Sequence, residues 1–513
     1  MKSPSSTRLP DARAAAARQS ALRLYRGFSG LNTATSEIAL ESPDAQALTE
    51  LDNLWCSPRG YLSNERPIVQ LGKERAAISH ARFYASRPDA VVYAARLAGR
   101  TELRVLDRPT LAAPTWPRNV VAASSVFNRK VIFTGGGTLA PEVFNGSGWS
   151  QLTSSEAQGA RYACAVSNRL VLAGYDRNPT EIIVSRVNRE DVLPADEIDG
   201  ENSVIKAIRV NVANLIGTAD VVTGIASFES NKLAVFTSDR VLVYLAPADA
   251  TQWDLDERVN INVGALSHGT IAAIGDEVFF CSRVGVHSLR RSSINGTTVF
   301  TQPLTAVVEE TYRRLVAQVR DPSAISACFD RDNGRYTIFF PVNDNLTYRL
   351  AIDISPRLQE QAETIGFWSL SSFAGLTCGD SLGGFTAFGS VAGLYSLGAE
   401  YATSGLRGEG VARTPVLWHG DVLALKQSHS MILYASGAGR VVVTAENETG
   451  RELSAVVFEL AAPGRADSLG VPLPQQFERP WQHSYSGLRL RVKIEQGAAQ
   501  VRVFAIGVRL RET

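Results

Sequence analysis

A short pattern of polar and apolar positions recurs along this chain. A polar turn carrying Asn, Asp or Gly leads into a run of β-branched and aromatic residues, and a second strand follows a few residues later. SVFNRKVIF turns at Asn128 and runs into an apolar strand over residues 131–133. AVSNRLVLA turns at Asn168, SFESNKLAVF at Asn231, AAIGDEVFF at Asp276 and CFDRDNGRYTIFF at Asn333, with a looser copy, GDSLGGFTAF, around Gly383. The steps between the first five turns are 40, 63, 45 and 57 residues. Strand repeats with a period of about 40–50 residues predict a β-propeller with one blade per copy. The uneven steps predict insertions at blade edges. An earlier strand pair over residues 90–95 and 102–106 adds one more unit, so the expectation is an all-β chain with about six to seven blades.

The same patterning divides the chain. Residues 1–30 form a basic arm, and residues 31–77 lead into the propeller. Within that lead, Ser42-Pro43-Asp44 reads as a helix start, which predicts one or two helical turns over residues 45–51. The propeller is expected over 78–404. Its widest gap, near 186–222, carries a Leu193-Pro194 break and an alternating stretch over 204–212, and is expected to be an excursion from the blades. A helix is expected near 304–319, where Leu304, Val307, Val308, Leu315 and Val319 approximate one stripe, with Glu309, Glu310, Arg313 and Arg314 largely opposite. Past 405 the turn–strand phrase disappears. Leu488, Leu490, Val492 and Ile494 alternate with Arg489, Arg491 and Lys493, which predicts an antiparallel sheet with one wet face. Residues 405–513 are therefore expected to form a separate β-sandwich.

Composition narrows the partners. Formal net charge is +1, which argues against a generic nucleic-acid binder held by bulk charge. Residues 1–30 carry six basic side chains against Asp11, so the remainder is slightly acidic. Such an arm reads as a tail, an interaction arm or a transit peptide. The five cysteines are widely spaced, with no CxxC, so neither a zinc site nor a disulfide framework is indicated. No apolar run reaches the length of a membrane span, and no signal-peptide core is visible.

Several motifs mimic chemistry. Gly379-Asp380-Ser381-Leu382-Gly383 satisfies the G-x-S-x-G of a nucleophile elbow, but an elbow needs Ser on a strand-to-helix turn, and here a strand follows. Asp330-Arg331-Asp332-Asn333-Gly334 resembles part of a calcium loop, yet it lacks the distal Glu, and Asn-Gly between strands is a hairpin signal. Gly135-Gly136-Gly137 follows a strand without opening a helix, so it lacks the setting of a phosphate loop. The six histidines (His80, His268, His287, His419, His429, His483) show no metal spacing, and the pairs Asp254/Asp256 and Glu309/Glu310 read as solvated charge. No catalytic residue, metal ligand or cofactor site is nominated, and the side chains lining any channel or subunit contact are not legible.

The order of phrases carries a resemblance. Arg26-Gly27-Phe28-Ser29-Gly30-Leu31-Asn32, then Ser42-Pro43-Asp44, Leu51-Asp52-Asn53-Leu54 and Ser57-Pro58-Arg59-Gly60, resembles the opening of short-tailed phage tail proteins. Further on, Thr223-Gly224-Ile225, the strands around Asn231 and 241–245, Asn262-Val263-Gly264-Ala265, Gly275-Asp276-Glu277 and Val284-Gly285-Val286 keep that family's order. The C-terminal stretch with Lys426 and the strands near 488–494 and 501–510 is similar to the family's β-sandwich end. The family is the podovirus tail nozzle, also called tail tubular protein B or tail-stabilisation protein. The resemblance implies a structural virion protein made in the host cytoplasm and built into the tail. Six copies would form a tube through which double-stranded DNA is ejected without sequence-specific binding. Its implied partners are its own copies, the adaptor and portal side of the tail, and tail fibres, with no catalysis and no cofactor. Two other readings are a propeller of the virion that hydrolyses or binds glycans and a cellular propeller used as an interaction platform.

Overall fold

The computed structural model describes residues 22–34, 46–57, 60–73, 75–84, 87–106, 108, 110–117, 120–198, 202–217, 220–229, 231–259, 263–291, 298–300, 303–331, 333–344, 346–354, 368–373, 375–382, 385–398, 408–419, 423–461, 473–495 and 501–511. The chain divides into two units, Ile68–Gly398 and a second made of Met1–Pro67 with Ala399–Thr513.

The larger unit is a β-propeller. Its first blade comprises Ala77–Tyr84, Arg87–Leu97, Arg100–Val105 and Thr115–Pro117. Blade 2 follows with Ala123–Phe127, Lys130–Thr134, Glu142–Phe144 and Trp149–Gln151, and blade 3 with Tyr162–Val166, Arg169–Ala173, Glu181–Val184 and Ile208–Asn211. Blade 4 holds Val222–Phe228, Lys232–Thr237, Val241–Leu245 and Asp254–Val259, and blade 5 holds Ala272–Ile274, Glu277–Cys281, Val286–Arg291 and Thr298–Phe300. A further set of four strands in the same order, Ser326–Asp330, Arg335–Asn343, Leu346–Asp353 and Trp368–Phe373, is blade 6. The last blade takes Leu376–Leu382, Phe385–Ser390 and Gly393–Leu397 from the end of the unit and Ile68–Leu71 from its start. First strands of successive blades are neighbours all the way round, and Leu376–Leu382 lies beside Ala77–Tyr84, which closes the ring.

The recurring phrase is the hairpin between the first and second strands of each blade. Phe127 pairs with Lys130 and Val166 with Arg169 across two-residue loops. Both loop residues are left-handed in each case, Asn128 and Arg129 at φ 48° and 59°, Ser167 and Asn168 at φ 47° and 59°. That is the primed turn matched to strand twist, and Asn tolerates it better than most side chains. Past their opening residues, the second strands are largely apolar because neighbouring blades cover both of their faces. Leu170 and Leu172 pack with Phe127 and Ile132 of blade 2, while Val171 and Ala173 pack with Ile225 and Val235 of blade 4. The core is therefore a series of layers between blades.

Several expectations change. The stretch near 186–222 is an excursion, but Ile208–Asn211 returns from it to pair with Glu181–Val184 as the outer strand of blade 3. The helix is shorter than expected, a 3-10 turn Ala306–Val308 followed by Glu309–Gln318. Val308, Tyr312 and Leu315 are buried, whereas Leu304 and Val307 are only half-buried. Tyr312 stands edge-on to Phe340 and its hydroxyl donates to the Ser282 carbonyl at 2.6 Å, so the helix seats on its own propeller. Among the described residues there is no helix within 45–51. Gln46–Leu48 and Glu50–Asp52 are strands, the first pairing in parallel with Phe28–Leu31. Tertiary strand pairing overrides the weak local helix signal there. The proposed helix start at Ser42-Pro43-Asp44 lies outside the described residues, as does most of the basic arm.

The smaller unit contains two antiparallel sheets. One joins Gln475–Pro480, Lys426–Ser436, Arg502–Arg511, Leu62–Asn64 and Leu54–Cys56, with Leu22–Arg26 also on Arg502–Arg511. The other joins Glu50–Asp52, Gly410–Arg413, Leu488–Ile494, Ala438–Asn447 and Glu452–Ala461. Leu488, Leu490, Val492 and Ile494 are buried, and Arg491 and Lys493 pair with Glu50 and Glu409 on the wet face. The sheets do not divide at 405. Residues 22–64 supply strands to both, and Arg23 and Arg26, expected in the basic arm, sit in a paired strand.

Candidate functional site: the mouth of the propeller channel

The first strand of each blade lines the channel, and the hairpins of the recurring phrase lie at its C-terminal end. The N-terminal ends of those strands gather at the opposite face, with the connections between blades and the hairpins between second and third strands. A cavity of about 780 Å³ opens there. Every blade contributes a first-strand or adjacent residue to its wall: His80, Ser124, Tyr162, Thr223, Ile271, Ser326 and Thr377.

Hydroxyls tie the wall together. His80 Nε2 lies 2.7 Å from Ser124 Oγ. Thr377 Oγ1 donates to the Ile78 carbonyl at 2.5 Å, and Ser326 Oγ donates to the Thr377 carbonyl at 2.7 Å. The Tyr162 and His268 rings lie 4.8 Å apart, forming one aromatic wall. Gly135 rims the cavity because a side chain there would meet Val120 and Leu139 within 3 Å. The triple glycine thus makes room at the rim and is not a phosphate loop.

Charge at this mouth is uneven. Arg82, Arg96, Arg161 and Arg320 line it against Asp321 and Asp344. Arg82 faces Asp380 at 3.6 Å, and Asp380 also accepts the Phe83 amide at 2.8 Å, which fastens blade 7 to blade 1. Arg161 pairs with Asp176 at 2.6 Å. Asp321 is occupied by the amide and hydroxyl of Ser323. Arg96 and Arg320 are exposed, and among the described residues neither makes an ion pair.

The two histidines at the mouth are held in their neutral form. Burial, with Arg82 and His268 adding to it, pushes His80 down to about 3. Burial and then Arg82 push His268 down to about 4. Both rings are neutral at pH 7 and stay so in mild acid. Burial likewise raises the Cys378 thiol to about 11, so it is no nucleophile at neutral pH.

The other singled-out residues fall elsewhere. Ser381 lies within the strand Leu376–Leu382, opposite Thr386. Its hydroxyl is buried without a hydrogen-bond partner, in a strand–strand setting that is not an elbow, and Gly383 lies outside the described residues. Asp330 accepts Asn333 Nδ2 at 2.6 Å and braces the hairpin, while Asp332 lies outside the described residues. His287 is buried, stacked on Phe280 and 3.0 Å from Ser282 Oγ. His419 bonds Tyr485 in the smaller unit. Asp256 pairs with buried Lys232 at 2.5 Å, and Glu309 pairs with Arg313 along the helix at 2.5 Å. All five cysteines are buried and free. Among the described residues no three His, Cys, Asp or Glu side chains are grouped to hold a metal ion, and no helix is long and apolar enough to cross a membrane.

Sequence reading reached the hairpin turns and missed the cavity, because the turns sit at the far end of the strands from it. The available signal was a polar or aromatic residue within the first four positions of most first strands, as at His80, Ser124, Tyr162, Thr223, Ser326 and Thr377.

No family model and no curated sequence matches the chain. Solved structures with a similar arrangement include the extracellular domain of a one-component system from B. thetaiotaomicron, 11% identical, covering 77% of this chain and 48% of that one at a TM-score of 0.38. Another is the extracellular domain of a hybrid two-component system from the same organism, 9% identical, covering 85% and 60% at a TM-score of 0.39. A third is the SapL1 lectin in complex with alpha methyl fucoside, 12% identical, covering 57% and 91% at a TM-score of 0.30. This chain thus spans about half to three-fifths of the two B. thetaiotaomicron domains. Likeness at this level carries no argument about function, and the propeller rests on the chain's own sheet topology.

Proposed function

We propose that this chain is a structural protein of a short-tailed phage tail, one copy of a six-membered nozzle wall. The observation that supports it is the threading of the chain. The head phrase around residues 26–60 and the strands after 408, which carry the two ends of the family resemblance, fold into one unit, with the propeller inserted between them. A near-neutral chain also suits a conduit, since a strongly basic wall would hold phosphates by counterion release. On this reading the protein passes DNA without sequence preference and needs no cofactor. Mass measurement and negative-stain imaging of the purified protein with its adaptor-side partner test it. A ring of six times 55.4 kDa is expected, and a chain that stays monomeric with that partner present would sink the reading.

A second reading, a glycan-binding propeller, is favoured by one observation, the cavity of about 780 Å³ at the channel mouth with its aromatic wall. It predicts saccharide binding by the isolated monomer, which the tail reading does not require.

A further inference from the structure

We propose that the edge strand Glu452–Ala461 of the smaller unit pairs antiparallel with the same strand of a second copy of this chain. The inference goes beyond the tail reading and does not rest on it, because a two-fold contact joins copies in pairs and cannot by itself close a ring of six.

The strand ends its sheet. It pairs with Ala438–Asn447 along its length, and among the described residues no strand bonds its other side. An open edge presents unpaired amides and carbonyls, and chains guard one by keeping it short or by placing charges or Pro on it. The other outer edges of this chain are guarded in that way. Apart from the first strands around the channel, they run two to six residues among the described residues. Those of six carry Asp254 and Asp256, or Glu478, Arg479 and Pro480. Glu452–Ala461 instead runs ten residues without Lys, Arg or Pro. Its two charges are Glu452 at the start and Glu459 near the end, the latter paired with Arg440 at 3.4 Å. Both of its faces are apolar. Phe458 and Leu460 are buried on the core side. On the other side Val457 lies across from Val442, both half-buried, and Val442 in turn lies across from Lys493. The wet face thus turns from charged to apolar as it reaches the edge, where a further strand would cover it.

The strand is compatible with itself. Antiparallel pairing about Val457 sets Val456 against Phe458, Ala455 against Glu459 and Leu453 against Ala461. Pairing about Val456 sets Ala455 against Val457 and Leu453 against Glu459. In both registers the core sides of the two strands face the same way, and glutamate never meets glutamate. A second copy therefore brings an edge of matching length and matching alternation, with no like charges to oppose it.

The test is size-exclusion chromatography with light scattering on the full chain over a range of concentrations. The wild type is expected to approach two times 55.4 kDa as concentration rises. Val457→Lys places a charge on the edge and is expected to weaken the dimer about tenfold or more, with an unchanged melting temperature to show that the variant folds. Val457→Cys or Val456→Cys, according to register, is expected to give a disulfide-linked dimer under oxidised glutathione, because the five natural cysteines are buried. A chain that stays monomeric at every concentration, with neither cysteine variant crosslinking, would overturn the inference and show that the edge is covered within its own chain. The tail reading, tested with the adaptor-side partner, would survive that result. A larger assembly that Val457→Lys leaves unchanged would overturn the inference as well.

Discussion

Arg169 shows how much one side chain can organise. It is fully buried in the second strand of blade 3, and among the described residues none of its hydrogen-bond partners is a carboxylate. Its guanidinium donates instead to the carbonyls of Ser185, Val204, Lys206 and Ala248. These carbonyls lie on the blade, on the excursion that follows it and on the loop after blade 4's third strand, so one planar fork fastens three segments. Arg169→Met would leave those carbonyls unmet and is expected to destabilise by more than about 3 kcal/mol, read as a large drop in melting temperature. Arg169→Lys is expected to fail almost as badly, because an ammonium cannot reproduce the fork. A lysine variant that melts with the wild type would refute the role. Turn residues allow a second test. Asn168 is left-handed, so Asn168→Val is expected to cost about 1–2 kcal/mol and Asn168→Gly close to nothing, by denaturant melting. His80, His268 and His419 set a pH dependence. Their folded values lie below the ordinary 6.5, so below pH 6.5 the unfolded chain takes up protons that the folded chain refuses. The stability they contribute is present above pH 6.5 and declines as pH falls toward 4. Thermal melts across pH 4–7 should show that decline, and His268→Gln should make it shallower without abolishing it.

Among elements, strand pairing decides where the chain's ends belong. Leu22–Arg26 lies on Arg502–Arg511, and at their contact a side chain on Gly507 would meet the Arg23 carbonyl oxygen at 2.0 Å. Gly507→Ala is therefore expected to release the first strand, which trypsin cleavage after Arg23 and Arg26 would report. Cleavage no faster than in the wild type would show that the strand tolerates the added methyl. Element legibility follows the same logic. The first hairpins were readable because turn chemistry and apolar runs are local properties of each blade. The strands Gln46–Leu48 and Glu50–Asp52 were not, because their ladder partners are distant, as in the pairing of Glu50 with Arg413. The outer strand Ile208–Asn211 was hidden likewise by the long excursion before it. The cavity escaped for a related reason: its wall gathers short runs such as 79–82, 120–124, 135–139 and 323–327 from separate blades, and only the closed ring brings them together.

At the scale of the whole molecule, the chain is a propeller interrupting a two-sheet unit, and the blade ring closes with a strand from its own beginning. Leu394 faces Leu71 and Leu397 faces Ile68 across that closure. Val69→Pro removes a backbone donor from the closing strand and is expected to raise hydrogen exchange over residues 385–397. Unchanged protection there would show that blade 7 holds without its fourth strand. The sequence by itself determined the all-β class, the repeat and its turns, because these follow from the alternation of side chains and the few residues that accept a left-handed backbone. Only the tertiary structure decided how the ring closes, that both chain ends share one unit, and that four arginines line one mouth of the channel. Those are contacts between residues hundreds of positions apart, and their geometry is set by the packing of one blade on the next.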